Sequence, residues 1–215
     1  MMTEKINVQT SALSKNDLVA AENRAFITGK GTLAINMISS PGSGKTALLE
    51  AMAKKLGPKM AVITGDVQMT FDADRINQAG SKAVQIETHG SCHLTALMVQ
   101  EKLKGLDLDG VKLLVIENIG NLVCPSNYDL GECFKTALLS GTEGDEKPLK
   151  YPALFLRAAV VMVTKMDLLP HVDFDLQRVK DDCLKLNPET RIFTTSCKTG
   201  EGVDEWVSYL LSLRP

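Results

Sequence analysis

The sequence predicts a three-layer α/β domain, with a mostly parallel central sheet flanked by helices and a short helix added at its N-terminus. Two observations carry this. Short apolar runs rich in Val, Ile and Leu alternate with segments of helical periodicity, and strands joined through helices make parallel sheets covered on both faces. A glycine-rich segment, residues 39–46, separates the first apolar run from the first long helix. The length of 215 residues suits one domain with a small appendage.

Taken in order, residues 12–29 are polar with apolar positions at Leu18, Ala21, Ala25 and Phe26, the spacing of a short amphipathic helix. Gly29 and Gly31 then lead into the main fold. Residues 1–30 are therefore read as a helical extension and 31–215 as the main domain. The first strand is expected at 33–38. Later strands are expected at 60–64, 83–87, 113–117, 137–139, 158–164 and 192–195. Helices are expected at 45–56, 72–78, 93–104, 175–186 and 203–213. The polar stretch 141–148 reads either as a mobile surface connection or as part of a feature peculiar to this family of chains. No internal repeat or low-complexity segment is visible.

Composition narrows the function. A formal charge of −2 at pH 7 supplies no general field for nucleic acid or anionic lipid, so any phosphate site must be local. No apolar run reaches membrane-spanning length, and residues 1–15 lack the pattern of a secretory signal. The five cysteines, Cys92, Cys124, Cys133, Cys183 and Cys197, are odd in number and scattered, which suits thiols or metal ligands in a reducing compartment. A cytoplasmic location is expected.

The segment Ser39-Ser-Pro-Gly-Ser-Gly-Lys-Thr46 is the phosphate loop of a P-loop NTPase fold. Successive backbone N–H groups and the following helix N-terminus cradle phosphate oxygens. Gly42, Ser43 and Gly44 allow close approach, Lys45 reaches the β- and γ-phosphates, Thr46 ligates Mg²⁺ and Ala47 completes the turn into the helix. Ser39 stands where the common pattern has glycine. Carboxylates at the ends of neighbouring strands are the expected Mg²⁺ partners, because ligands bind beyond the carboxyl ends of parallel strands. These are Asp66, Glu117 and, on a following loop, Asp72. Lys45, Asp66 and Glu117 form the predicted catalytic set. Glu117-Asn-Ile-Gly120 looks like the Asp-x-x-Gly switch with Glu for Asp, so Gly120 would offer its N–H to a γ-phosphate.

Base choice is read from Thr164-Lys-Met-Asp167, which resembles the Asn-Lys-x-Asp guanine signature, and from Ser196-Cys-Lys198, which resembles Ser-Ala-Lys. The Asp167 carboxylate would accept from guanine N1–H and the 2-amino group, donors that adenine lacks. Lys165 and Lys198 would flank the base, with backbone N–H groups of Ser196 and Cys197 near O6. Thr164 replaces the usual Asn.

Cys92 and His93 are adjacent, and Cys124 follows the switch-like Gly120. Two sulfurs and an imidazole suit Zn²⁺ or Ni²⁺. With three such ligands an open or subunit-shared site is more natural than a closed structural one, completed by water, a partner residue or His89. By residue type alone the pair fits an ordinary small thiol beside a hydrogen-bonded imidazole better than it fits a metal site. The position of Cys124 beyond the switch favours metal. Cys133, Cys183 and Cys197 read as structural.

From about Leu13 onward the sequence resembles the hydrogenase maturation GTPases of the HypB type. The likeness lies in the loop at 39–46, Gly65-Asp66, Phe71-Asp-Ala-Asp-Arg75, Cys92-His-Leu94 and Glu117-Asn-Ile-Gly-Asn-Leu-Val-Cys-Pro125. It continues in Tyr128-Asp-Leu-Gly131, Lys147-Pro-Leu-Lys-Tyr-Pro152 and Lys165-Met-Asp-Leu-Leu-Pro170. The resemblance implies slow GTP hydrolysis to GDP coupled to nickel delivery. It also implies a homodimer promoted by GTP or metal, a HypA-like nickel partner and a [NiFe]-hydrogenase large-subunit precursor as recipient. By position it makes Cys92, His93 and Cys124 the Ni²⁺ or Zn²⁺ ligands. A urease-type nickel GTPase, an ATP-dependent small-molecule kinase and a metal-binding module without hydrolysis are the competing readings.

Overall fold

The computed structural model describes residues 8–66, 71–88 and 90–214, with the side chains of residues 8–12, Asp66 and Phe71 outside the description. His89, offered above as a further ligand, lies outside the described residues, as does the Asp66 carboxylate.

The chain runs α1 (Val8–Gly29), β1 (Leu33–Ser39), α2 (Lys45–Leu56), β2 (Met60–Asp66), α3 (Phe71–Gln78), β3 (Lys82–Glu87), α4 (Ala96–Leu103) and β4 (Leu113–Glu117). It continues β5 (Phe134–Ser140), α5 (Lys147–Lys150), α6 (Pro152–Phe155), β6 (Ala158–Thr164), α7 (Leu176–Leu186), β7 (Arg191–Thr194) and α8 (Val203–Ser212). The strands form one 7-stranded sheet in the order β3-β2-β4-β1-β5-β6-β7. Every pairing is parallel, so the expected mostly parallel sheet is wholly so.

Burial on both faces explains why the strands read as continuous apolar runs. All of β1 is buried. Ile35 and Met37 join Leu48 and Met52 of α2 and Trp206 of α8 on one side. Ala34 turns to the other side, beside Ile27 of α1 and Val99 of α4. Ile38 joins Leu154 of α6 and Val179 of α7. Three layers result, with β1 central. Its neighbours β4 and β5 leave in opposite directions along the sheet, which opens a crevice beyond the strand ends.

Two boundaries shift, at α4 and β5, and the short helices α5 and α6 are additions to the expected set. α4 begins at Ala96 rather than at residue 93, because Thr95 is its N-cap and accepts the Met98 N–H; the preceding residues are occupied elsewhere. β5 starts earlier than 137, since Phe134 and Lys135 pair with Ile35 and Asn36. The polar stretch after β5 is tied down: Gly141 N–H donates to Thr164 O and Lys147 Nζ to Ser40 Oγ at 3.1 Å. Among the described residues no helix is long and apolar enough to cross a membrane.

Candidate functional site

A cleft of about 500 Å³ opens beyond the ends of β1, β2 and β4. Gly42, Ser43, Gly44, Lys45, Thr46 and Ala47 line it from below, with Gly65, Asp72, Arg75, Glu117 and Gly120 around them. The loop is built for anions: Gly44 takes φ +92 just before α2, a backbone state open to glycine at little cost. Lys45 Nζ donates to Ser39 Oγ at 2.8 Å. The serine that departs from the common loop pattern therefore holds the lysine over the loop. Gly120 sits against it as well, for a Cβ there would lie 2.9 Å from Pro41 Cγ. Thr46, Asp72 and Glu117 face one cleft, an oxygen donor set that fits a hard cation such as Mg²⁺. Arg75 was not read as a site residue; it reaches the cleft from α3 while paired with Glu50 at 2.6 Å.

A second pocket, lined by Gly44, Ala47, Thr164, Lys165, Asp167, Leu168, Cys197 and Lys198, adjoins the loop. Asp167 Oδ1 accepts from Ser196 Oγ at 2.6 Å, and Lys198 Nζ stands 4.0 Å from Asp167 Oδ2. Lys165 adopts φ +58 and its Nζ donates to Gly42 O. The hydroxyl of Thr164 donates to Ser43 O at 2.5 Å. Thr164 therefore fastens this second pocket to the glycine-rich loop. Burial, then the nearby charges of Asp167 and Glu50, raise the Cys197 thiol above its ordinary range. It stays neutral beside the base pocket.

Cys92, His93 and Cys124 come together, with ligand atoms all within 4.8 Å of one another. Cys92 Sγ lies 3.4 Å from His93 Nδ1. The hydrogen bond with Cys124, then burial, raise the Cys92 thiol. Burial lowers the His93 imidazole, which favours its neutral form. Two sulfurs and one nitrogen at this spacing fit a borderline-soft transition metal with open coordination positions. Tyr128 was not read as a site residue; its ring stacks on His93 with centroids 3.9 Å apart. Of the thiols read as structural, Cys183 is buried and Cys197 partly so. Cys133, just before β5, is exposed and lies outside the thiol–imidazole cluster.

The two sites share a segment. Glu117 and Gly120 belong to the cleft, and Cys124 lies a few residues on, in a 3-10 turn (Cys124–Asn127). Asn118 and Asn121 within it also bond to the Cys92–Leu94 stretch. Their only signal in the sequence was their place inside the Glu117–Pro125 motif.

The chain as a whole is similar to known proteins. The family model described as CobW/HypB/UreG, nucleotide-binding domain, matches residues 33–194. The hydrogenase maturation factor HypB of Azotobacter vinelandii is 47% identical over 208 residues, covering 95% of this chain and 68% of that protein. The hydrogenase/urease maturation factor HypB of Helicobacter pylori strain J99 is 41% identical over 210 residues, covering 96% of this chain and 87% of its own. A crystal structure of HypB from Helicobacter pylori in complex with nickel superposes with a TM-score of 0.88 at 42% identity, covering 92% of this chain and 94% of that one. On the family model and these relatives, the chain belongs to the CobW/HypB/UreG family of nucleotide-binding proteins and, within it, to the HypB hydrogenase maturation factors.

Proposed function

We propose that this protein is a GTP-hydrolysing metallochaperone in which nucleotide state sets the affinity for nickel. The observation that carries the reading is the single segment running from Glu117 and Gly120 in the cleft to Cys124 in the thiol–imidazole cluster. A change in that segment on γ-phosphate loss acts on a metal ligand directly.

In this reading the phosphate-loop backbone and Lys45 hold the triphosphate, and Asp167, Ser196, Cys197, Lys165 and Lys198 select guanine. Thr46, Asp66, Asp72 and Glu117 would hold Mg²⁺, which neutralises charge developing on the transferring phosphoryl group. Lys45 stabilises the same charge. Nickel is cargo, bound by Cys92, His93 and Cys124; zinc suits the same donors. Cys92 is exposed and the apolar side chain of Val123, next to Cys124, is 57% exposed. An open three-ligand set beside exposed apolar surface favours completion by a second copy, hence a homodimer promoted by nucleotide or metal. A HypA-like nickel partner and a [NiFe]-hydrogenase large-subunit precursor are the proposed neighbours in the cytoplasm, with no role for nucleic acid or membrane. The dual name of the Helicobacter relative favours one second reading, a urease precursor as recipient.

Single-turnover GTP hydrolysis tests the enzymatic half. Lys45→Ala is expected to abolish the protein-dependent rate. An unchanged rate would reduce the protein to a metal-binding module.

A further inference from the structure

The Cys92-His93 pair hangs between a fixed frame and the segment that leads to Cys124. On the C-terminal side of the pair, Leu94 is fully buried and packs on β2, where a Cβ added to Gly65 would lie 2.8 Å from its Cδ2. Its N–H donates to Asn118 Oδ1 at 3.3 Å. Asn118 is itself fixed to the central strand: its N–H donates to Met37 O at 2.9 Å and its Nδ2 to Asn36 Oδ1 at 3.2 Å. Two residues further on, Ala96 N–H donates to Asn16 Oδ1, and Ala96 O accepts from Asn23 Nδ2. From Leu94 onward, the chain belongs to the sheet and to α1.

On the other side of the pair the anchor is different. The Cys92 carbonyl accepts from Asn121 Nδ2 at 3.2 Å. Asn121 lies beyond Gly120, and its Oδ1 accepts the Val123 N–H at 2.9 Å, which fixes its side chain to the stretch carrying Cys124. The chain rejoins the frame at Asp129, whose carbonyl accepts from Asn16 and whose carboxylate takes the Arg24 guanidinium at 2.6 Å. Tyr128, on which the His93 ring is stacked, stands next to that anchor.

We propose that Asn121 is the coupling residue of this protein: through the Cys92 carbonyl it makes Cys92 follow Cys124. A displacement starting at Gly120 then carries both sulfurs together, while His93 stays with Leu94, Asn118 and Tyr128. The two thiols move relative to the imidazole, and the three-ligand set is assembled or opened as a unit. Without the Asn121 bond, only the weak thiol hydrogen bond between Cys92 and Cys124 links Cys92 to the motion of the segment. Asn121 is a positioning residue, since it is neither in the lining of the cleft nor in the thiol–imidazole set. The inference rests on the nickel and nucleotide reading given above.

The test is a nickel titration of the full chain in its GDP state and in the presence of a non-hydrolysable GTP analogue, for wild type, Asn121→Asp and Asn121→Ala. Asn121→Asp keeps the acceptor for Val123 N–H and removes the donor to Cys92, so the local turn survives. Its added charge shifts nickel affinity in both states alike, and the ratio of the two dissociation constants removes that effect. Coupling between sites typically spans about 5- to 150-fold, and one neutral hydrogen bond can carry up to about tenfold of it. The expected result is a ratio reduced severalfold in both variants, with nickel still bound in the GDP state. A wild-type ratio retained within about twofold in Asn121→Asp overturns the inference and leaves the coupling itself intact. Loss of nickel binding in both states also overturns it, by making Asn121 a support of the site. A wild-type ratio near one removes the underlying reading, and the coupling residue with it.

Discussion

Replacing Asp167 by Asn tests the base pocket at a single atom. Asp167 Oδ1 accepts from Ser196 Oγ at 2.6 Å, a bond an asparagine oxygen keeps, so the substitution directs its new NH₂ group to the Oδ2 side. That side opens toward Lys198 and the pocket bounded by Lys165 and Leu168. Guanine brings two donors, N1–H and the 2-amino group, and would meet a donor. Two charge-assisted hydrogen bonds are lost at about 1.5–3 kcal/mol each, or roughly 3–6 kcal/mol together. This amounts to a loss of roughly two to four orders of magnitude in GTP and GDP affinity. Xanthine carries an oxygen in place of the 2-amino group and accepts from the new NH₂, so xanthosine nucleotides should gain as guanosine nucleotides lose. Equilibrium binding of fluorescent GDP, competed by unlabelled guanosine, xanthosine and adenosine diphosphates, reads all three. GDP affinity within about threefold of wild type, or tighter binding of ADP than GDP by the native protein, would refute this assignment of the base pocket.

Two further outcomes follow from the same geometry. The Cys92 thiol is raised above its ordinary range by its bond with Cys124 and by burial, so it is protonated at neutral pH in the metal-free protein. Nickel binding must displace that proton, and affinity should rise with pH by about tenfold per unit for each proton displaced. Proton release on mixing with Ni²⁺ in weakly buffered solution measures it; a pH-independent affinity between pH 6.5 and 8, taken as a working range of about this width, would exclude thiolate ligation. Gly131 takes φ +99, and a Cβ there would lie 2.5 Å from Asn23 Cβ and 2.9 Å from Ala20 O. Gly131→Ala should cost roughly 2–5 kcal/mol, combining about 1–2 for the left-handed backbone with about 1–3 for overpacking. Urea unfolding gives the value, and a change under about 0.5 kcal/mol would show that α1 does not press on this loop.

The strands and the glycine-rich loop were legible because local chemistry specifies them. Each strand is buried on both faces and therefore apolar along its length, and the phosphate loop is one contiguous motif with required glycines. Misreadings occur where a side chain is used across the fold. α4 starts later than its apolar periodicity suggests because Thr95 caps it, while His93 stacks on Tyr128 and Leu94 packs on Gly65. Asn16, Asn23, Asn118 and Asn121 look like ordinary polar residues in sequence. In the fold they bind backbone groups of distant loops, with Asn16 reaching Ala96 and Asp129 and Asn23 reaching Ala96 and Leu130. No periodicity or spacing encodes such pairings. The thiol–imidazole cluster is the intermediate case: its residues were readable, but their convergence within 4.8 Å is a property of the folded chain.

The most direct measurement of the central claim is a titration of the metal-free protein with Ni²⁺, with and without a non-hydrolysable GTP analogue, alongside Cys124→Ala. Nucleotide control of metal handling predicts that the analogue changes nickel affinity or stoichiometry and that Cys124→Ala abolishes the change. Nickel binding that is absent, or indifferent both to the analogue and to Cys124, would contradict it and leave a nucleotide-binding protein without a role in carrying nickel.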